Sequence, residues 1–346
     1  MVRELIAPAK EQVAFREVES RALREGEVRV RTRYGAVKHG TEMALYKGYA
    51  DPRGRFDPEY RLFRTGQPGV RYPVALGNTC VGTVVEVGPG VSTIKSGEQV
   101  FRYGSLKEEH IWPAASVRKL PDGVPWQAAA CLDPADFALG AVRDGHVRIG
   151  DAVAVFGMGA IGLIALQLAK LAGAYPAIAV EPIPLRREVA LACGADLVID
   201  PSEYDSGLAI KEATGRRGAD VIIEYSGHPM ALQGALRGVA YNGTVVAGAF
   251  PGVYPAGLDF GAEAHMNRPK IVFSRACSEP NPDYPNWDEK RIFDVAWRLL
   301  ASGAIQTVPL VQPVVCFADL LQEYPKIATH PQETIKLGVV FPDDGR

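Results

Sequence analysis

Cysteine is sparse in this chain of 346 residues, and the five present, Cys80, Cys131, Cys193, Cys277 and Cys316, include no CxxC pair. A disulfide framework and a cysteine-clustered zinc site are therefore not expected, and a reducing, cytoplasmic setting fits. Charge of one sign is also lacking: 38 basic against 40 acidic residues leave a net charge of −2, which makes no electrostatic case for a nucleic-acid partner. Met1-Val-Arg-Glu-Leu-Ile carries charges and no apolar core, so no secretory signal is expected. Internal repeats and low-complexity tracts are absent. One run, Ala152 to Ala169, is apolar almost throughout and long enough to raise a membrane helix. Its three central glycines, Gln167 near its end and the flanking Asp151 and Lys170 favour a buried strand and helix, so no membrane partner is expected.

What is present is organised around that run. Ala152-Val-Ala-Val-Phe156 is fit for a buried parallel strand and leads into Gly157-Met-Gly159-Ala-Ile-Gly162. Good helix formers follow to Ala172, and Ala177-Ile-Ala-Val180 then reads as a second strand ending on Glu181. Glycines at these spacings serve a tight turn (Gly157), close approach of a pyrophosphate (Gly159) and close helix packing (Gly162). Ala160 and Ile161 open the helix, whose unpaired amides and dipole favour phosphate. Glu181 stands where an acid accepts hydrogen bonds from an adenosine ribose and opposes a 2′-phosphate, which favours NAD over NADP. Arg186 and Arg187 follow five and six residues further on, where the alternatives are partial reversal of that choice by pairing with the phosphate, flanking of the adenine, or a place on a solvated helix face.

From Gly150 onward short apolar runs (Leu197–Ile199, Val221–Glu224, Thr244–Ala247, Ile271–Phe273) alternate with helix-like stretches, the pattern of a doubly wound parallel sheet. Ligands in such sheets sit beyond the carboxyl ends of the strands, so Ser226, Gly227, Ala249, Phe250 and Ser274 join Glu181 as expected cofactor contacts. Asp288 to Ser302 reads as an amphipathic helix. Residues 1 to about 120 look β-rich, and Tyr49 to Pro73, long and rich in Pro, Gly, Arg and aromatics, is either a cover for a site or a solvated loop.

Gly40-Thr-Glu-Met-Ala-Leu-Tyr-Lys-Gly48, Leu76-Gly-Asn-Thr79 with Val84-Val-Glu-Val-Gly-Pro-Gly-Val91, the glycine turn, and Lys336 in a closing strand together resemble the medium-chain dehydrogenase/reductase family over essentially the whole chain. The resemblance implies a fold of class α/β: a GroES-like β-rich catalytic domain (1–120 and 300–346) around a Rossmann NAD-binding domain (121–299). It also implies a homodimer or homotetramer paired through the edge of the nucleotide domain, over Thr244 to Ser274. Zinc members of the family place a cysteine where this chain has His39, a His-Glu pair at Asn78-Thr79, and a further ligand near Asp133. An amide at 78 is a poor zinc ligand, so no metal is expected. The Gly-Thr-Glu form, and Gly261 to Pro269 with His265 and Asn267, are similar to a zinc-independent branch that includes bacteriochlorophyllide hydroxyethyl dehydrogenases and sugar- or polyol-associated members.

Without zinc, side chains must handle the proton of a hydroxyl substrate. The family's relay hydroxyl falls on Thr41, with the proton passing to His39, Lys38 or Glu42 in that order of preference, imidazole having the best matched pKa. A turn-capping role competes for Glu42. Asn78 and Asp133 would bind a polar substrate, joined by His265 and Asn267 from the loop near the family's dimer contact, and Lys336 resembles the family's basic partner of the diphosphate. The leading expectation is an NAD-dependent dehydrogenase of a secondary alcohol on a polyol, sugar or similar small molecule. The alternatives are an NADPH-dependent quinone or enoyl reductase and a non-catalytic nucleotide-binding redox sensor.

Overall fold

A computed structural model describes residues 1–48, 54–65, 71–251, 253–254, 257–275 and 283–342. The chain divides into two compact units, Met1–Ala130 with Val311–Arg346, and Cys131–Leu310. These joins come somewhat later than those expected at 120 and 300. The helix Trp126–Ala130 packs against the strand Thr79–Val87 in the first unit. In the second, Gln306 exchanges hydrogen bonds with Gln167.

The first unit is built on a seven-stranded sheet in which Glu27–Ala36 is central. It pairs antiparallel with Thr79–Val87, Glu109–Pro113 and Gly338–Val340. Glu27–Ala36 alternates in burial for most of its length, as the charge-and-apolar alternation of its sequence requires. The C-terminal strand is shorter than its apolar sequence suggests: Lys336 precedes it and reaches inward from the approach to Gly338. Within the stretch from Tyr49 to Pro73, residues 49–53 and 66–70 lie outside the described residues; of the remainder, Arg55–Asp57 pairs with Leu62–Arg64.

The second unit carries a six-stranded, all-parallel sheet. From one edge its strands are Leu197–Ile199, Ala177–Val180, Val153–Phe156, Ala219–Glu224, Val239–Ala247 and Lys270–Phe273. The chain enters in the middle, winds to one edge, then crosses back and winds to the other, which is the doubly wound order with its switch point beside Val153–Phe156. Val153 to Phe156 and Ala177 to Val180 are buried throughout, which is why both read as unbroken apolar runs. The helix Ala160–Leu171 is buried from Gly162 to Ala169; Leu163, Ile164 and Leu166 are fully enclosed, each worth about 1.5–3 kcal/mol of burial. Gln167 is the polar member of that buried stretch, and its amide is satisfied by Leu163 and Gln306. Asp288 caps the helix Glu289–Ala301 by accepting from Arg291 N at 2.7 Å. No helix among the described residues is long and apolar enough to cross a membrane.

Candidate active site

Each glycine of the 157–162 turn meets a different neighbour. Gly157 has φ +86°, and a Cβ there would meet Ser226 N at 2.7 Å. A Cβ on Gly162 would fall 1.8 Å from the Gly157 carbonyl oxygen. At Gly159 a Cβ would meet nothing within 4 Å. Protein packing therefore demands the first and third glycines, and the second faces open space. The helix behind it, with Ala160 and Ile161 half-buried at its start, has Gly159 as N-cap and no side-chain capping bond. An unfilled cradle ending on uncapped amides fits a dinucleotide diphosphate.

Glu181 is buried just beyond its strand, and its carboxylate accepts from Met158 N at 2.6 Å and Ile183 N at 3.1 Å. The acid is thus fastened to the middle of the glycine turn. Arg186 lies 3.9 Å from it, and burial pushes that guanidinium's pKa down. Arg187 is committed elsewhere, to Asp200 at 2.8 Å and to the carbonyls of Glu181 and Pro182. Ser226, Gly227, Ala249, Phe250 and Ser274 all follow carboxyl ends of strands in the same sheet; Ser226 and Phe250 are exposed and Ser274 is buried.

Sequence reasoning passed over the group that shapes this rim. Glu224, buried at the end of its strand, accepts from the Ser226 hydroxyl, from Ser226 N at 2.6 Å and from Gly227 N at 3.0 Å. Burial raises its pKa against those bonds. An acid closing an apolar run just before Ser-Gly was the available signal.

In the first unit, the helix His39–Tyr46 carries the remaining candidates. Gly40 and Thr41 are exposed, Lys38 and His39 half-buried, and Glu42 is buried. One Glu42 oxygen accepts from Lys38 N at 2.5 Å, closing the helix start. The other accepts from Gly77 N at 2.9 Å and from the Tyr324 hydroxyl at 3.0 Å. Lys336, also buried, lies close enough to act on it electrostatically and donates to Val37 O at 2.7 Å. One carboxylate thereby ties the helix start, the turn before Asn78 and the C-terminal segment together. Burial dominates and pushes the Glu42 pKa up to about 7, opposed by Lys38 N, Tyr324, Gly77 N and Lys336. Burial also raises the Tyr324 hydroxyl, helped by Glu42. Tyr324 stands 282 residues from its partner along the chain, beyond any local signal.

His39 accepts at Nε2 from Leu337 N at 2.9 Å. Asn78 is half-buried; its backbone N–H donates to Ala36 O at 2.9 Å and its backbone carbonyl accepts from Gly104 N at 3.0 Å. Thr79 beside it is buried. Asp133 belongs to the second unit, half-buried in the first turn of the helix Leu132–Asp144. His265 and Asn267 lie on the short helix Glu263–Asn267 of that unit, the first exposed and the second half-buried. Lys336, expected to meet the diphosphate, is turned into its own unit; such a contact would compete with its bond to Val37 O.

The catalytic zinc of the family that the sequence resembles would meet His39 and Asn78 in the first unit. Among the described residues no three His, Cys, Asp or Glu side chains are grouped to hold a metal ion. One ring nitrogen of His39 is already taken by a backbone amide, and Asn78 offers a neutral donor.

Two family models match the chain: an alcohol dehydrogenase GroES-like domain over residues 24–122 and a zinc-binding dehydrogenase over residues 160–289. The chain is 46% identical over 352 aligned residues to D-guloside 3-dehydrogenase of Escherichia coli (strain K12), covering 98% of this chain and 100% of that one. It is 31% identical to (R,R)-butanediol dehydrogenase of Bacillus subtilis (strain 168) over 72% of this chain and 76% of that one. The crystal structure of 2R,3R-butanediol dehydrogenase from Bacillus subtilis shares the fold, with a TM-score of 0.76 at 23% identity over 99% and 100% of the two chains. With a glycine turn that leaves room for a diphosphate and similarity along its whole length, this chain belongs to the medium-chain dehydrogenase/reductase superfamily, zinc-type alcohol dehydrogenase-like, and is an oxidoreductase of CH–OH groups.

Proposed function

We propose that the protein is a zinc-independent, NAD-dependent dehydrogenase that oxidises a secondary hydroxyl of a sugar, in the first place a guloside or related glycoside at position 3, to a ketone. The observation that carries the substrate class is the full-length similarity to the E. coli D-guloside 3-dehydrogenase. The zinc-free reading is supported by the neutral donor at Asn78 and by His39, one ring nitrogen of which accepts from the Leu337 amide. The preference for NAD is supported by Glu181, whose carboxylate faces the turn and repels a 2′-phosphate.

When bound, the nicotinamide supplies the acceptor for the hydride leaving the carbinol carbon. The uncapped amides at the start of Ala160–Leu171 hold the diphosphate, and Glu181 accepts hydrogen bonds from the ribose hydroxyls. Arg186 flanks that carboxylate at 3.9 Å. Thr41, exposed in the first helical turn beside Lys38, receives the hydrogen bond of the substrate hydroxyl, and the proton leaves through it to water. Glu42 and Lys336 position these groups, since both are buried and bonded to the backbone that carries them. Asn78 binds a further sugar hydroxyl; Asp133, His265 and Asn267 remain substrate contacts on the resemblance alone.

The edge strand Lys270–Phe273, with Phe273 exposed beside Ile271, supports assembly as a homodimer through that edge. Cys80, Cys193 and Cys316 are free thiols, which supports the cytoplasm as its setting.

An NAD-coupled screen of glycosides, free sugars, polyols, hydroxyethyl aromatics and quinones, run with a metal assay on the same protein, tests this reading. Reduction of NAD with a glycoside, at metal far below one per chain, is expected. Metal near one per chain would sink the zinc-free mechanism, and turnover of quinones alone would replace the function.

A further inference from the structure

We propose that Glu224 is a positioning residue of the cofactor site: it engages the proton of the Ser226 hydroxyl, so that Ser226 meets the cofactor only as an acceptor, and the group it accepts from is a hydroxyl of the nicotinamide ribose. This rests on the NAD-dependent reading above and assigns how the wall of the cradle across from Glu181 recognises that ligand.

Glu224 ends the strand Ala219–Glu224, is buried, and organises two loops at once. Its backbone carbonyl accepts from Gly248 N at 3.0 Å and Ala249 N at 3.2 Å, which holds the chain leaving the neighbouring strand Val239–Ala247. Its side chain folds back on its own loop. Oε1 accepts from Ser226 N at 2.6 Å, from the Ser226 hydroxyl and from Gly227 N at 3.0 Å, and Oε2 shares Gly227 N at 3.2 Å. The loop so held stands against the glycine turn, since a Cβ on Gly157 would meet Ser226 N at 2.7 Å and Ser226 Cβ at 3.0 Å. Ser226 is nonetheless exposed.

Backbone N–H groups only donate, so an oxygen that receives two of them carries no proton of its own. The proton between Oε1 and Ser226 Oγ therefore belongs to the serine. His228 N donates to Oγ at 3.1 Å and occupies one of its two lone pairs. What the hydroxyl offers a ligand is the other lone pair. A phosphoryl oxygen or a carbonyl, which only accepts, gains no bond there; a ligand hydroxyl does. Burial of the carboxylate strengthens this by polarising the serine O–H in a low-dielectric surrounding.

Place in the sheet selects which hydroxyl. Glu181 follows the strand Ala177–Val180 on one side of Val153–Phe156, and Ser226 follows Ala219–Glu224 on the other. A dinucleotide with its diphosphate at Gly159 and its adenosine ribose at Glu181 continues past Gly157 with its second ribose, the one that bears the nicotinamide.

Fluorescence titration with NADH, and with NADH analogues deoxygenated at the 2′ or the 3′ position of the nicotinamide ribose, tests the proposal. We expect Ser226→Ala to weaken NADH roughly 3- to 10-fold, the size of one hydrogen bond, and one deoxy analogue to bind wild type and Ser226→Ala alike. Ser226→Thr, which keeps the hydroxyl, should restore the affinity for NADH. Glu224→Gln keeps an oxygen for Ser226 N and loses the charge. It should cost NADH as much as Ser226→Ala does, cost that deoxy analogue little, and add little to Ser226→Ala in the double variant. Equal weakening of NADH and both analogues by either substitution would show a merely structural loop and overturn the proposal. So would a Ser226→Ala variant that binds NADH within about twofold of wild type. Should Glu224→Gln not fold, Glu224→Asp, which draws the carboxylate back by one methylene, takes its place in the same comparison. Failure of the NAD reading would look different: wild type would prefer NADPH, with the Ser226 and Glu224 pattern unchanged when NADPH is the probe.

Discussion

Replacing Gly159 and Gly162 separately by alanine distinguishes a glycine kept for the protein from one kept for a ligand. At Gly159 the backbone, φ −73° and ψ −177°, suits any residue, and the new methyl touches nothing within 4 Å. Stability should hold or rise by about 0.4–1 kcal/mol, because alanine has fewer unfolded conformations to lose. The same methyl stands where a diphosphate oxygen must come to meet the helix amides. Displacing one or two charge-assisted hydrogen bonds costs about 2–4 kcal/mol, or roughly 30- to 700-fold in Kd for NADH. At Gly162 the methyl would sit 1.8 Å from the Gly157 oxygen, so strand and helix must separate, at a cost of about 3 kcal/mol or more. Thermal unfolding paired with fluorescence titration of NADH reads both effects. A folded Gly159→Ala variant that binds NADH within about threefold of wild type would refute the placement of the diphosphate at this turn.

Four further outcomes are expected. Folded Glu42 holds its proton up to about pH 7, against 4.5 for the unfolded group, so more protons are bound when folded and stability falls as pH rises between those values. Glu42→Gln, unable to ionise beside Lys336 and Tyr324, should lack that slope of about 2–3 kcal/mol; urea midpoints at pH 5 and pH 8 that shift in parallel with wild type would contradict it. Glu181→Ser should weaken NAD about tenfold and NADP far less, measured by titration; an equal loss for both would show that the carboxylate does not discriminate the 2′ position. Treatment with a strong chelator should leave glycoside turnover unchanged, and a loss restored by zinc would reverse the metal assignment. Phe273→Asp, at the exposed sheet edge, should shift light-scattering mass from two chains toward one, and an unaltered mass would move the contact elsewhere.

The family, the two-part α/β architecture and the cofactor turn were legible because each is written locally. Gly157, Gly159 and Gly162 are spaced by one strand-to-helix turn, and the buried strands Val153–Phe156 and Ala177–Val180 announce themselves as unbroken apolar runs. Asn78, at a position where zinc relatives carry histidine, needs no coordinates to read as a weak metal donor. What sequence could not decide is which way polar atoms face once distant segments meet. Glu42 was ambiguous between acid-base chemistry and capping until Gly77 N and the Tyr324 hydroxyl closed on it from 35 and 282 residues away. Lys336, read as a partner for phosphate, turns inward to Val37 O, because the segment it precedes pairs beside that residue. His39 had the right pKa class for a base, yet its Nε2 is taken by a Leu337 amide 298 residues on. Periodicity and spacing record a residue's own turn or strand; hydrogen bonds between segments far apart in the chain arise only when the fold brings them together, and those bonds set the protonation and direction of the groups that do chemistry.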